Sequence, residues 1–457
     1  GKAIVCQHGC MTDTDVAKQP APRVFDRLIA KASRLLAKGV YQSVEVANPE
    51  PGWSEHPALI VANHPTGFSD PALLLGLLGR SPRFLAKSTL WDTPGVGWFL
   101  DRIGAIPVHR AQDGRTSGNA EMFASAYGAL RRGEIIAIFP EGRVHDEPSL
   151  GPVKTGAARI VLGAHDAGVT GIRVVPIGIH LEERAAIRSR AFVQVGEIID
   201  LDAAIPDLLA GETPSPENHE AVNLLTGEIE TRLQHVSPGF DDEAEAAALS
   251  FAAEVALRDP AGPAHVSYAD RQLVAGKLSR RSEATQAVVA DNAVRYEAAL
   301  AEQGVDDAGL VAAQRGIRLS WRYLGVLATL VLLAPFALAG VAMNIAPYLL
   351  LRAAMQLRPK SMTPSTVRLI AAVVAFSVMW IVWAVIAWRI WNGTVALIVL
   401  VAAPLYGAVA VYVLDRAVTL WRAWMQRRRA RRLGPKAALL LDQRAGLVAA
   451  VEGALRP

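Results

Sequence analysis

Three apolar runs within residues 323–414 constrain this chain more than any other feature. Leu369–Trp388 holds 20 residues and Thr394–Leu414 holds 21, and neither contains a charged side chain. A helix rises 1.5 Å per residue, so each run spans about 30 Å, the thickness of a bilayer's hydrocarbon core. Only Arg389–Gly393 joins them, which predicts a tight transmembrane hairpin. Arg368 precedes it, and Arg416, Arg422 and the basic stretch Arg427–Arg432 follow. Basic residues accumulate on the cytoplasmic side of membranes, so both outer ends of the hairpin are expected there. The first run, Tyr323–Leu351, is 29 residues long, contains Pro335, Asn344 and Pro347, and has basic residues at both flanks. Those charges predict a broken or re-entrant segment that returns to its starting side.

Residues 1–320 read as ordinary globular protein. The net charge is only +4 over 457 residues, and much of the basic excess borders the apolar runs. This distribution points to membrane topology and lipid contact. Aromatic residues are not interleaved among the basic ones, which argues against a nucleic-acid surface. Cys6 and Cys10 flank His8 within residues 1–21, read as a disordered leader in which Met11 looks like a natural start. A lone Cys pair does not make a structural metal centre, nothing requires an oxidising compartment, and no secretory signal is expected.

From residue 22 to 39, Phe25, Leu28, Ile29, Ala32, Leu35 and Leu36 recur at helical spacing, opposite Arg23, Arg27, Lys31, Arg34 and Lys38. Such a basic amphipathic helix suits a lipid interface, and it equally suits a cover over a globular core. Residues 40–204 alternate short β-like runs with helical stretches. The β-like runs are Val40–Val46, Ala58–Asn63, Pro82–Ala86, Ala105–His109, Ile135–Phe139, Arg173–His180 and Ala191–Val195, with helices expected at Pro71–Leu78, Asn119–Arg132 and Thr155–Ala167. This alternation predicts an α/β domain with a mostly buried central sheet flanked by helices. Residues 205–320 read as a linker, rich in Pro and Gly to residue 218, and then a helical accessory region with helices at Glu220–His235, Glu243–Arg258 and Arg280–Gln303. A C-terminal α-helical membrane domain follows, and residues 416–457 read as a basic cytoplasmic tail.

Four stretches carry chemistry. His64 and Asp70 stand at the end of a β-like run, with Pro65 and Gly67 between them to shape a turn. Imidazole takes a proton from an attacking hydroxyl at neutral pH, and a carboxylate on its other nitrogen sets the tautomer. Phe139-Pro140-Glu141-Gly142-Arg143 ends a second run, with His145 and Lys154 close behind. Arg143 and Lys154 are cations suited to a phosphate, and Gly142 lets the backbone come near. Gly104-Ala105-Ile106-Pro107-Val108-His109-Arg110 ends in another cation, and Val174-Val175-Pro176-Ile177-Gly178 is apolar enough to line an acyl path. Singly, each has an ordinary structural reading.

In this order and spacing the chain resembles the glycerolipid acyltransferase family, whose blocks are His-x4-Asp, Gly-x-Ile-x-x-x-Arg, Phe-Pro-Glu-Gly and a late Val-Pro-Ile. The wording is most similar to the branch of the yeast dual glycerol-3-phosphate/dihydroxyacetone-phosphate acyltransferases and bacterial relatives, with Phe84-Leu85-Ala86-Lys87-Ser88 adding to the likeness. The resemblance implies His64 as general base and Asp70 as its orienting carboxylate. It implies Arg110 on an acceptor phosphate, Glu141 and Gly142 shaping the acceptor pocket, and Pro176 near the acyl path. Arg143 and Lys154 join the expected substrate contacts, with Lys87 and His145 as further candidates. Two departures stand out: His64 and Asp70 are separated by five residues, so Ser69 occupies the usual aspartate position, and Arg143 directly follows Gly142.

The implied reaction is acyl transfer from acyl-CoA or acyl-ACP to glycerol 3-phosphate or dihydroxyacetone phosphate, at a membrane whose lipids are partners, with the catalytic domain cytoplasmic. No Gly-x-Ser-x-Gly elbow and no cysteine beyond position 10 offers a covalent nucleophile, so a direct displacement is expected. Neither a cofactor nor a metal is expected, because no histidines cluster at ligand spacing. Acylation of a lysophosphatidate would use the same blocks. A catalytically dead lipid-binding scaffold would not need His64, Asp70, Arg110 and Glu141 intact.

Overall fold

The computed structural model describes residues 23–47, 57–78, 81–93, 95–109, 119–145, 147–184, 188–260, 265–315, 321–357 and 364–456. The leader and Arg110 lie outside them. Helix α1 (Arg23–Val40) leads into β1 (Tyr41–Ala47) and β2 (Ala58–Ala62), followed by α2 (Ser69–Leu78) and β3 (Arg83–Lys87). Next come α3 (Val96–Arg102), β4 (Ile106–Val108), α4 (Asn119–Arg131) and β5 (Ile135–Ile138). Then α5 (Gly156–Asp166), β6 (Arg173–Leu181), β7 (Ser189–Val195), the two-residue β8 (Ile199–Asp200), α6 (Leu201–Leu208) and α7 (His219–Val236) complete the domain. The expected α/β architecture is present.

The strands form one sheet in the order β1-β7-β6-β2-β5-β3-β4, with β8 beside β6. Strands β2, β3, β4, β5 and β6 all run parallel. Strands β7 and β8 pair antiparallel with β6, and β1, parallel to β7, runs in the same reversed direction. A strand buried on both faces reads as a continuous apolar run, and all five residues of β2 are fully buried. Its side chains alternate between two cores: Leu59 and Val61 meet α4, α5 and α7 on one face, while Ala58, Ile60 and Ala62 meet α2 and α3 on the other.

Helix α1 packs on α2 through Ala30 and Ser33, and Arg34 Nε donates to the carbonyl of Gly76 at 2.6 Å. Leu28 and Leu35 of the apolar stripe remain 60% and 63% exposed. The expected linker at 205–218 begins inside α6, and α7 packs on the same face of the sheet as α4 and α5. Leu201, Leu209, Ala221, Val222, Leu225 and Ile229 bury themselves in the same core as β2.

A third core joins α8 (Glu243–Leu257), α9 (Tyr268–Leu278), α10 (Glu283–Gln303), α11 (Asp307–Gln314) and the C-terminal helices. Three helices follow: α12 (Trp321–Gln356), α13 (Pro364–Ile390) and α14 (Gly393–Ala430), each long and apolar enough to cross a membrane. The expected break in the first apolar run is not there. Helix α12 is continuous through Pro335 and Pro347, and Asn344 within it donates to the Gly340 carbonyl at 2.9 Å and accepts from Trp380 Nε1 at 2.9 Å. Neighbouring side chains that re-satisfy polar groups let a membrane helix tolerate proline.

Residues 416–457 are not a tail. Helix α14 continues to Ala430, and α15 (Lys436–Leu455) packs Leu440, Leu447, Val451 and Ala454 into the third core. Buried Asp307 anchors it, accepting from Tyr296 Oη at 2.8 Å and Arg444 Nε at 2.9 Å and pairing with Arg258 at 2.9 Å. A buried carboxylate needs such partners, since removing them costs about 3–5 kcal/mol. Arg188 fastens helix α14 to the sheet domain. It adopts a left-handed φ of 65°, donates to the carbonyl of Tyr41 at 2.6 Å, and pairs with Asp415 of α14.

Candidate active site

Because β2, β5 and β6 are parallel and in register (Val61 beside Ile138, Ala62 beside Ile177), their following residues leave the sheet at one edge. Ligand sites of parallel sheets form there, outside the carboxyl ends of the strands. His64 follows β2 and Glu141 follows β5 at this edge. The side-chain amide of Asn63 continues the ladder, accepting from Ile179 N at 2.7 Å and donating to the Ile179 carbonyl at 3.0 Å.

Asp70 opens α2 and is fully buried. Its Oδ2 lies 2.8 Å from His64 Nδ1 and accepts the backbone N–H groups of Thr66 at 2.9 Å and Gly67 at 3.2 Å. The Thr66 hydroxyl donates to Oδ1. Gly67, at φ 86°, curls the chain so that Asp70, and not Ser69, reaches the imidazole. The extra residue in the His–Asp spacing is thus absorbed in the turn. An acidic residue at a helix N-terminus also gains from the helix dipole. Since the carboxylate only accepts, His64 Nδ1 carries the proton and Nε2 is left as the free base. Behind the pair, burial and then the charge of Asp70 push the Tyr41 hydroxyl above its ordinary range, so it stays protonated.

The imidazole ring stacks on Phe139, with centroids 4.0 Å apart and planes 14° apart. Two residues on, Glu141 is 3% exposed. Its Oε1 accepts the backbone N–H of His64 at 2.9 Å, and its Oε2 accepts from Gly151 N at 3.3 Å and from His145 Nε2. Both carboxylate oxygens are therefore spent on holding the loop of His64 against the loop of residues 145–151. A small cleft opens over these groups, lined by His64, Pro65, Glu141, His145, Arg184 and Pro238.

Residues 43–180 match the family model described as Acyltransferase. They form a domain of the acyltransferase family. Glycerol-3-phosphate O-acyltransferase 2 of Saccharomyces cerevisiae is 38% identical over 241 residues, covering 49% of this chain and 30% of the yeast protein. The chloroplastic 1-acyl-sn-glycerol-3-phosphate acyltransferase of Arabidopsis thaliana is 31% identical over 160 residues, covering 35% of this chain and 42% of that protein. This chain thus spans less than half the length of these curated relatives. A solved 1-acyl-sn-glycerophosphate acyltransferase of Thermotoga maritima aligns at 20% identity over 47% of this chain and 79% of its own, with a TM-score of 0.34.

Within the acyltransferase domain the other expected residues fall in different places. Gly142 has φ 68°, and a Cβ there would lie 2.6 Å from Lys154 Nζ, so the Lys154 ammonium stands directly over this turn. Arg143 is exposed and pairs at 3.8 Å with Glu147. Pro176 is buried in β6 beside Val61, its ring against Gly196, and does not line the cleft over His64. Lys87 closes β3 in register with Val108, at the same sheet edge.

Sequence reasoning missed Arg184 and Pro238. Arg184 lines the cleft and donates to the carbonyls of His145 at 3.2 Å and Glu147 at 2.9 Å. It stands beyond the last motif block, and no local pattern marks it. Pro238 reaches the cleft because Phe240 N donates to the Pro148 carbonyl and Gly239 bridges to Ser149.

Proposed function

We propose that this chain transfers a fatty acyl group from a thioester donor, acyl-CoA or acyl-ACP, to a hydroxyl of glycerol 3-phosphate or dihydroxyacetone phosphate. The observation that carries the reading is the contact of His64 Nδ1 with the buried Asp70 carboxylate, inside a domain of the acyltransferase family. His64 Nε2 takes the hydroxyl proton as the oxygen attacks the thioester carbonyl carbon. The tetrahedral intermediate collapses with C–S cleavage, and the imidazolium returns the proton to the departing thiolate. Asp70 holds the imidazolium while it lasts.

The acceptor phosphate needs cations at the cleft. Arg184 lines it and Lys154 stands over Gly142, so these two join Arg110 as candidate phosphate contacts. Acylation of a 1-acylglycerol 3-phosphate is the second reading, favoured by the Arabidopsis relative's name. We place the catalytic domain on the cytoplasmic face, where acyl thioesters are made.

The test is acyl transfer by the purified full chain in detergent, crossing glycerol 3-phosphate, dihydroxyacetone phosphate and lysophosphatidate with the two donors. His64→Ala should fall below about 1% of wild type while the protein still inserts and folds. Asp70→Asn should lose on the order of 10⁴, as when the orienting carboxylate of a Ser-His-Asp site is replaced. Substantial turnover by His64→Ala sinks the mechanism, and no turnover of any acceptor by wild type sinks the reading.

A further inference from the structure

A second cleft, of about 310 Å³, opens between the C-terminal ends of α9 and α15 and is lined by Val274, Lys277, Arg280, Arg281 and Leu455. Three of its five lining residues are cations. None of the three forms an ion pair with a carboxylate among the described residues. Arg280 donates to the His235 carbonyl at 2.6 Å, Arg281 donates to the Arg456 carbonyl at 3.3 Å, and Lys277 has no polar partner among the described residues. Other arginines of the same region are neutralised: Arg258 and Arg444 by Asp307, and Arg271 by Glu182 and Glu254. Partial burial also draws the Arg280 guanidinium below its ordinary pKa, as expected for a charge with no counterion.

The C-terminus of α9 carries a partial negative charge that one cation would offset. Three converging cations exceed that need and suit a polyanion, above all a phosphate that accepts bidentate bonds from arginine. Val274 and Leu455 add apolar walls, which a phosphate alone would not use and a nucleobase would. The volume is at the lower end for small-molecule sites and suits a nucleotide-sized group.

The position connects this cleft to the reaction. The His235 carbonyl caps Arg280, and three residues on, a chain reach of roughly 11 Å, Pro238 lines the cleft over His64. We infer that the cleft of Lys277, Arg280 and Arg281 binds the phosphorylated nucleotide end of an acyl-CoA donor whose thioester reaches His64. This rests on the acyl-transfer reading. It adds a site outside the matched domain of residues 43–180, in the accessory helices.

The experiment titrates the full chain in detergent with coenzyme A, with inorganic phosphate as a weak control. It compares wild type with the double variant Lys277→Ala/Arg281→Ala and, separately, with Arg280→Gln. The first two side chains are exposed, so the double variant should keep the wild-type unfolding midpoint. Each lost phosphate contact should weaken coenzyme A binding by about tenfold. The KM for acyl-CoA should rise in parallel, with the KM for the phosphorylated acceptor unchanged. Unaltered coenzyme A affinity in both variants overturns the inference. So does a loss confined to an acyl carrier protein donor, or one confined to sedimentation with anionic phospholipid vesicles. If coenzyme A binding falls as expected but wild type transfers no acyl group, the site stands and the acyl-transfer reading fails. If transfer proceeds and the variants match wild type, the reverse holds.

Discussion

Glu141 Oε1 accepts the backbone N–H of His64 at 2.9 Å, across 77 residues of sequence. This bond fixes the backbone that carries the imidazole, while Asp70 fixes the ring. Glu141→Gln keeps an oxygen for the His64 N–H but loses its charge and one acceptor. Glu141→Ala leaves that N–H and the Gly151 N–H without their partner. A donor left unsatisfied costs about 1–3 kcal/mol, so Ala should lower both the unfolding midpoint and kcat more than Gln. Equal kcat losses in the two variants would mean that the carboxylate charge itself acts on substrate.

Arg184 lines the cleft from the loop after β6, and Lys154 covers Gly142. If either holds the acceptor phosphate, its replacement by Ala removes a bond that the donor never makes. The KM for the phosphorylated acceptor should rise about tenfold or more, with the donor KM steady. Parallel rises for both substrates would assign that residue to the loop's architecture, where Arg184 already donates to two carbonyls.

His180 is buried at the end of β6, with its Nε2 2.6 Å from the carbonyl of Val236. Burial lowers its pKa from 6.5 to about 4. The unfolded chain therefore takes up a proton near pH 6.5 that the folded chain refuses until about pH 4. The stability tied to this neutral histidine is present in full above pH 6.5 and lost as pH falls towards 4, on the order of 3 kcal/mol in all. Carboxylates titrate in the same range, so the informative quantity is the difference from His180→Gln. Urea unfolding from pH 7 to pH 4 should show a shallower loss in the variant, and identical slopes would refute the assignment.

Three points of the membrane region lie by the globular layers: Arg427 donates to the Arg315 carbonyl, α13 begins against α2, and Asp415 pairs with Arg188. The turn at Asn392 stands at the far end of α13 and α14. A cysteine at Asn392 should therefore react only from the side opposite the catalytic domain, and one at Arg422, between Asp415 and Arg427 on α14, only from the catalytic side. Cys6 and Cys10 are the sole native thiols and are easily replaced. Labelling of both positions from one side would redraw the topology.

Local chemistry was legible in the sequence wherever a period or a short turn governs it. The strands and helices between residues 40 and 204 follow from apolar alternation, and β2 is placed within one residue of its expected end. The contact of His64 with Asp70 spans six residues and one glycine turn, so its partners were readable before any fold was known. The apolar length of α12, α13 and α14 was equally plain, because bilayer thickness sets a count that composition either meets or does not.

Strand order decided the rest. Only parallel β2 and β5, side by side, put the Phe139 ring under His64 and Glu141 against its backbone. Arg184 and Pro238 enter the cleft through contacts between segments far apart in sequence, which no spacing rule encodes. Helix α15 was hidden for a related reason: an arginine-rich prefix outweighed a short apolar stripe whose partners lie on α8 and α10. Side-chain period is a property of neighbouring residues, whereas a buried pair such as Arg444 and Asp307 exists only after loop closure has brought 137 residues of chain together.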